Sequence, residues 1–159
     1  MITIRNVQIT DYEMASVLED AVFKLHQEAR PDYFVSQTHY SKEEFEELLA
    51  RPVPISLAAV CGEQIVGICF GEITEMSENT FRKGRKIAVI EDLFTLPEYR
   101  GRGIASRLIE KAREQAKAEQ ADALELCVWS FNASAMRLYE KLGMKVQYYR
   151  MEERLNDEQ

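Results

Sequence analysis

The chain has 159 residues, with 20 Lys and Arg against 27 Asp and Glu and a formal charge of −7 at pH 7. That length suits a single domain over residues 1–159, and 46% hydrophobic with 30% charged residues excludes a disordered or fibrous chain. The acid surplus argues against nucleic acid or an anionic membrane as partner and is compatible with an amine, and no apolar run reaches the ~18 residues of a membrane span.

In chain order, Ile2–Ile9 alternates as an opening strand. Asp11 begins a helical pattern with Met14, Val17, Leu18, Ala21, Val22 and Leu25 on one face, ending near Ala29 because Pro31 disfavours helix at Arg30. Ser41 and Glu44 form a capping box for a second, short helix closed by Pro52 and Pro54. Ile55–Cys61 and Gln64–Glu75 read as a hairpin turning at Gly62-Glu63, and Lys86–Leu96 as an apolar strand carrying Glu91 and Asp92. Gly101–Glu119 is a long amphipathic helix, Asp122–Trp129 a strand, Asn132–Leu142 a helix and Met144–Leu155 a last strand. The order is β-α-α-β-β-β-α-β-α-β, a mixed α/β (α+β) sheet, antiparallel in its first half and parallel across the strand–helix–strand unit from Lys86 to Trp129.

No secretory signal is visible at Met1–Arg5. Cys61, Cys69 and Cys127 sit in apolar stretches and form no framework, so they read as reduced, buried thiols of a cytoplasmic protein rather than as nucleophiles. With two histidines and no paired Cys/His spacing, no metal site is expected.

Chemistry concentrates in the stretch from Glu91 to Ser106, where a strand ends at Pro97 and a glycine-rich turn opens a helix. The first helical N–H groups lack intrahelical acceptors and sit at the positive end of the macrodipole. Gly101 and Gly103 carry no Cβ to block an anion, and Arg100 and Arg102 add charge, so the segment suits a pyrophosphate. The spacing is neither a Rossmann fingerprint nor a Walker phosphate loop.

Arg100-x-x-Gly103-x-Ala105 resembles the R/Q-x-x-G-x-G/A signature of the GNAT N-acetyltransferase family. The run Asn132-Ala133-Ser134-Ala135-Met136-Arg137-Leu138-Tyr139-Glu140-Lys141-Leu142-Gly143-Met144 is similar to a second block of that family, and the likeness covers nearly the whole chain. The resemblance implies the GNAT acyl-CoA N-acyltransferase fold and acetyl-CoA as donor. It implies that backbone groups of Leu93, Phe94 and Thr95 pair with the pantetheine arm. Arg100, Gly101, Arg102, Gly103, Ile104, Ala105 and Ser106 would hold the pyrophosphate, and Asn132 and Ala135 would meet the donor from the helix that follows.

An amine attacks a thioester only when neutral, and a carboxylate at the strand end can take its proton. The resemblance makes Glu91 the first choice as base and Asp92 the second, their side chains alternating to opposite faces. Tyr139 is the expected acid for the departing thiolate, with the Leu93 N–H holding the oxyanion. The expected reaction is direct transfer to a primary amine in a ternary complex. A Glu-Asp-x-Phe strand and Tyr-Arg-Gly turn like those of diamine and polyamine acetyltransferases favour a small acceptor. The alternatives are a protein N-terminal or lysine acetyltransferase, a CoA-binding regulatory module without turnover, and a toxin acetylating aminoacyl-tRNA.

His26, Asp32, Tyr33, Phe34 and His39 are candidates for an acceptor-pocket wall, and Arg82–Lys86 reads as a solvated basic turn. Relatives usually carry two strands after the Gly143-Met144 position, whereas here one stretch follows. A bent strand, or pairing with a second subunit, would cover the resulting edge, and a homodimer is one expectation.

Overall fold

The structure, a computed structural model, describes residues 1–36 and 39–155 and divides into two compact units, Met1–Cys127 and Val128–Gln159. The first unit carries β1 (Ile2–Asn6), α1 (Tyr12–Ala29), α2 (Lys42–Leu49), β2 (Pro54–Cys61), β3 (Gln64–Met76), β4 (Arg85–Thr95), α3 (Ile104–Ala118) and β5 (Ala123–Leu126). Its strands form one sheet in the order β1-β2-β3-β4-β5, antiparallel except for the parallel β4–β5 pair. This is the mixed α/β arrangement expected, with the hairpins and the crossover where the turns and periodicities put them.

Consecutive residues are buried along β2, from Ile55 to Val60, and along β3, from Ile65 to Gly71, so both faces of the sheet are covered. On one face Ile104 and Leu108 of α3 lie over Gly67. Phe70, three residues on and therefore on the other face, meets Phe45 of α2 edge-on at 6.0 Å. The capping box forms as expected. Ser41 Oγ accepts the Glu44 N–H at 3.2 Å, and the Glu44 carboxylate accepts the Ser41 N–H at 2.7 Å.

The face of α1 differs from the expected one. Ala15, Ser16, Leu18, Glu19 and Val22 are buried, whereas Val17 and Leu25 are exposed. Two overlapping faces share Leu18 and Val22, and packing against β3 and β4 selects the one bearing the small, fully buried Ala15, which lets the helix approach closely. The helix is anchored to β1 by Asp11, which accepts two hydrogen bonds from the Arg5 guanidinium at 2.6 and 2.8 Å and the Gln8 N–H at 2.7 Å. The guanidinium holds the Asp11 carboxyl below its usual range.

Three ends are corrected. The opening strand stops at Asn6, with a 3-10 turn at Ile9–Asp11 taking over before α1. β5 stops at Leu126, so Cys127 is exposed rather than buried; Cys69 is buried and Cys61 intermediate. In the second unit, α4 (Ala133–Lys141) forms as expected, but residues 144–155 adopt no strand. Val146, Tyr148 and Tyr149 have the propensity for one, yet a strand exists only where a neighbour takes its backbone hydrogen bonds, and these side chains stay exposed.

In the β3–β4 ladder Phe70 faces Asp92 and Gly71 faces Ile90, so Glu91 is the extra residue of a β-bulge. A Cβ built on Gly71 would lie 2.0 Å from the Val89 carbonyl oxygen, which is backbone and cannot step aside. Gly71→Ala is therefore expected to cost about 2–3 kcal/mol of stability, seen as a several-degree fall in Tm by circular dichroism.

Candidate functional site

The bulge decides where the two acids of β4 go. Alternation would send Glu91 and Asp92 to opposite faces, but with Glu91 out of register both meet the chain flanking α2. Exposed Glu91 accepts a hydrogen bond from Arg51 Nη1 at 2.6 Å, and Arg51 also lies 3.9 Å from Glu72 of β3. Half-buried Asp92 accepts the Tyr40 hydroxyl at 3.0 Å. Burial pushes the Asp92 carboxyl above its usual range, against the lowering effect of the Tyr40 hydrogen bond, and the neighbouring Glu91 charge pushes the same way as burial. Burial first, then the charge and hydrogen bond of Asp92, hold the Tyr40 phenol protonated as a donor.

Glu19 of α1 joins this locus. It is 2% exposed and accepts the Tyr40 backbone N–H at 3.1 Å, so Tyr40 touches both acids, Glu19 by its main chain and Asp92 by its phenol. Tyr40 is itself held by Tyr12, whose hydroxyl donates to the Tyr40 carbonyl at 3.1 Å. Desolvation raises Glu19 to about 7, Asp92 adding to the rise. Glu19, Tyr40 and Arg51 were not singled out in the sequence. The signal for Glu19 was an acid on the Ala15–Leu18–Val22 stripe of α1, legible once that face is known to be the buried one.

The donor side is built from backbone. β5 pairs with β4 only from Ile87 to Ile90, so beyond Ile90 the first unit supplies no strand to the β4 edge that bears Leu93, Phe94 and Thr95. That edge can accept an extended amide-bearing arm as an added strand. After Pro97–Tyr99, a 3-10 turn, Gly101 and Gly103 take positive φ of 75° and 74°, Gly103 as the residue before α3, whose first turn has no side-chain cap. Left-handed backbone here turns successive N–H groups toward one anion, and the residues present fit a pyrophosphate. Arg100 Nε donates to the Thr95 carbonyl at 3.2 Å and its guanidinium lies over the Phe94 ring, while Arg102 donates to the Glu98 carbonyl at 3.2 Å and lies over Tyr99. A cleft of about 190 Å³ between α1 and this turn is lined by Lys24, Leu25, Phe94 and Arg100, among others.

Tyr139, Asn132 and Ala135 lie in the second unit. Asn132 caps α4, its Oδ1 accepting the Ala135 N–H and the Ser134 hydroxyl at 3.2 Å each. Gly143, at φ 85°, ends α4 and its N–H donates to the Glu140 carbonyl.

Of the expected pocket wall, Asp32 is paired with Arg30 at 2.8 Å, and burial lowers the His26 pKa. His39 bonds Asp20 at 2.8 Å. In the basic run, Arg85 pairs with Glu125 and Lys86 with Glu119, which divides its charge. Burial pushes the Cys69 thiol up to about 12, which keeps it protonated and unreactive. Among the described residues no group of His, Cys, Asp and Glu could hold a metal ion, and no helix is long and apolar enough to cross a membrane.

Residues 22–144 match the acetyltransferase (GNAT) family model. The chain belongs to the GNAT acetyltransferase family. With membership comes the enzyme class, acetyl-CoA-dependent N-acetyltransferase, and the donor that the glycine turn and the β4 edge fit. The chain is 33% identical over 114 residues to an uncharacterized N-acetyltransferase of Archaeoglobus fulgidus, covering 72% of this chain and 76% of that one. It is 46% identical over 61 residues to the thialysine N-epsilon-acetyltransferase of Bos taurus, covering 38% of this chain but only 35% of the bovine protein. Among solved structures, the tetramutant of a Bacillus halodurans protein superposes with a TM-score of 0.92 at 30% identity, covering 96% of this chain and 99% of that one. An aminoglycoside N-acetyltransferase in complex with CoA superposes with a TM-score of 0.74 at 18% identity, covering 97% and 99%, a likeness of fold.

Because the Tyr40 hydrogen bond lowers the Asp92 pKa, Tyr40→Phe is expected to raise it further. If Asp92 is the base, the acid limb of the kcat/KM profile, followed as free thiol release from acetyl-CoA, moves to higher pH and activity falls on that side.

Proposed function

We propose that this GNAT domain, residues 1–159, transfers acetyl from acetyl-CoA to a small primary amine in the cytoplasm, by direct attack in a ternary complex. The observation that carries this reading is a half-buried carboxylate, Asp92, one residue before the unpaired β4 edge of Leu93–Thr95. A base is thereby set beside the place where the thioester end of an added strand belongs. Alkylamines have a reference pKa of about 10, so the proton must be removed before attack. Asp92, raised by burial, is matched to that task, and the Glu91 carboxylate is engaged by the Arg51 guanidinium at 2.6 Å. The preference for Glu91 that the resemblance suggests therefore gives way to Asp92, with Glu91 and Arg51 positioning the bulge.

In this reading the neutral nitrogen attacks the thioester carbonyl, the Leu93 N–H receives the developing oxyanion, and the thiolate leaves with a proton from Tyr139. The family resemblance also assigns Asn132 and Ala135 to donor binding. Small acceptors are supported by the likeness to relatives named for thialysine acetylation, and by acids that lie behind Tyr40 rather than on an open groove. A regulatory module without turnover needs neither raised acid.

A screen of amines, amino acids, aminoglycosides and peptides for thiol release from acetyl-CoA tests this. Asp92→Asn is expected to lose about 10²–10³ in kcat, Glu91→Gln no more than about tenfold, and Tyr139→Phe an intermediate amount. Retention of kcat in Asp92→Asn would remove the assignment. The expected homodimer is supported by exposed Tyr148, Tyr149, Met151 and Leu155 in the second unit. A dimeric mass by light scattering at micromolar concentration is the expected result, and a monomeric mass refutes it.

A further inference from the structure

The main chain of Tyr40 is held on both sides of its Cα. Its N–H donates to the Glu19 carboxylate at 3.1 Å, and its carbonyl accepts the Tyr12 hydroxyl at 3.1 Å. These two bonds belong to successive peptide planes, so together they set the direction in which the Tyr40 side chain leaves the backbone. Both come from one helix, since Tyr12 opens α1 and Glu19 follows two turns later on the same face. Glu19 makes no other hydrogen bond among the described residues: Oε2 accepts the Tyr40 N–H, while Oε1 is equally buried and accepts none. Burying a carboxylate for a single main-chain bond is costly, and such an arrangement persists where it fixes a geometry that the site needs.

Tyr12 is in turn placed by the core. Its ring meets Phe45 edge-on at 5.4 Å, and the fully buried Phe45 meets Phe70 at 6.0 Å. Phe70 is the residue that the bulge sets opposite Asp92 in the β3–β4 ladder. The contacts therefore close on themselves: from Asp92 across the sheet to Phe70, through Phe45 to Tyr12, and through the Tyr40 main chain and phenol back to Asp92. The phenol bonds Asp92 at Oδ2, 3.0 Å away, so in the proposed reaction the proton of the amine goes to Oδ1. Facing Asp92 are Glu91 of its own strand, Arg51 and Tyr40 from the chain flanking α2, Glu19 from α1 and Cys69 from β3. Of these, Tyr40 is the one that donates a hydrogen bond to it, and whatever disturbs the aim of the phenol falls on the base.

We infer that Tyr12 and Glu19 are positioning residues of the transfer reaction: holding the Tyr40 main chain at its carbonyl and its N–H, they aim the phenol at Asp92 Oδ2. The inference rests on the proposed reaction, in which Asp92 is the base. Both act through Tyr40 and not on the reacting atoms. Because the Tyr40 bond lowers the Asp92 pKa, a badly aimed phenol leaves that carboxyl higher. The acid limb of kcat/KM, which rises as Asp92 loses its proton, then moves to higher pH. A residue that only stabilised the fold would lower activity at every pH and leave the limb in place.

The test uses the full chain with two readouts: an NMR titration of the Asp92 carboxyl, which needs no acceptor, and the kcat/KM profile for thiol release from acetyl-CoA with n-pentylamine as probe. Tyr12→Phe removes one oxygen and no charge, and it keeps the ring that meets Phe45. It should move both the carboxyl titration and the acid limb up by about 0.5 of a pH unit, a fall of about threefold in kcat/KM below the limb. In a Tyr40→Phe background it should move them no further, because the phenol it aims is gone. Glu19→Gln and Glu19→Leu both remove the charge and leave Asp20 and His39, which face Glu19, unchanged. They differ in the oxygen left to accept the Tyr40 N–H, so both readouts should lie higher in Glu19→Leu by a similar amount. If Glu19→Leu does not fold, Tyr12→Phe decides alone. A carboxyl titration unmoved in folded Tyr12→Phe, an equal shift in the Tyr40→Phe background, or folded Glu19 variants that coincide overturn the inference while leaving the reaction standing. A carboxyl titration that moves while the kinetic limb stays in place removes Asp92 as the base instead, and the hold on Tyr40 stands.

Discussion

One extra residue in β4 governs the site. Opposite Gly71 the ladder pairs Ile90 and then, one residue late, Asp92 with Phe70, leaving Glu91 outside the register. A bulge bends its strand and sharpens the local twist, and here the parallel pairing of β4 with β5 ends at Ile90, immediately before it. Among the described residues of the first unit, the same irregularity thus leaves the Leu93–Thr95 edge without a partner strand, and it turns two successive acids toward the chain around α2. Gly71 is the condition for all of this, since any side chain there would meet the Val89 carbonyl.

Around that bulge the charges are sorted against the sign of the whole molecule. The chain carries −7, yet the turn that opens α3 gathers Arg100 and Arg102 at the positive end of a helix. Across α1 the opposite is built, with Glu19 and Asp92 withdrawn from water on either side of Tyr40. Burial is the main reason both carboxyls are raised, the Asp92 charge adding to the rise at Glu19 and the Glu91 charge to that at Asp92, while Glu91 accepts a hydrogen bond from Arg51.

Elements set by local chemistry were legible in the sequence. The Ser41–Glu44 capping box, the Gly62-Glu63 hairpin and the glycine turn before α3 each depend on residues a few positions apart, and each forms where it was read. Features that depend on what packs against what were not. The apolar residues of α1 allow two faces, and only contact with the sheet selects the one that carries Glu19. Gly71 looks like any glycine in an apolar strand until Val89 is placed beside it. The stretch 144–155 alternates well enough for a strand, but alternation supplies no partner for its backbone.

The difference between the two halves of the site has the same origin. A pyrophosphate is held by main-chain N–H groups, which every residue possesses, so the constraint falls on glycines at fixed spacing and writes a motif. The proposed acceptor side rests on contacts that join positions 21 and 52 residues apart, the Glu19 carboxylate to the Tyr40 N–H and the Tyr40 hydroxyl to Asp92. No spacing rule links such positions, and each can change without disturbing the glycine turn. Residues along α1 and the segment before α2 can therefore vary while the glycine turn stays fixed. On its buried face α1 carries two polar side chains: Ser16, which donates to the Tyr12 carbonyl of its own helix, and Glu19, which reaches across to the Tyr40 backbone.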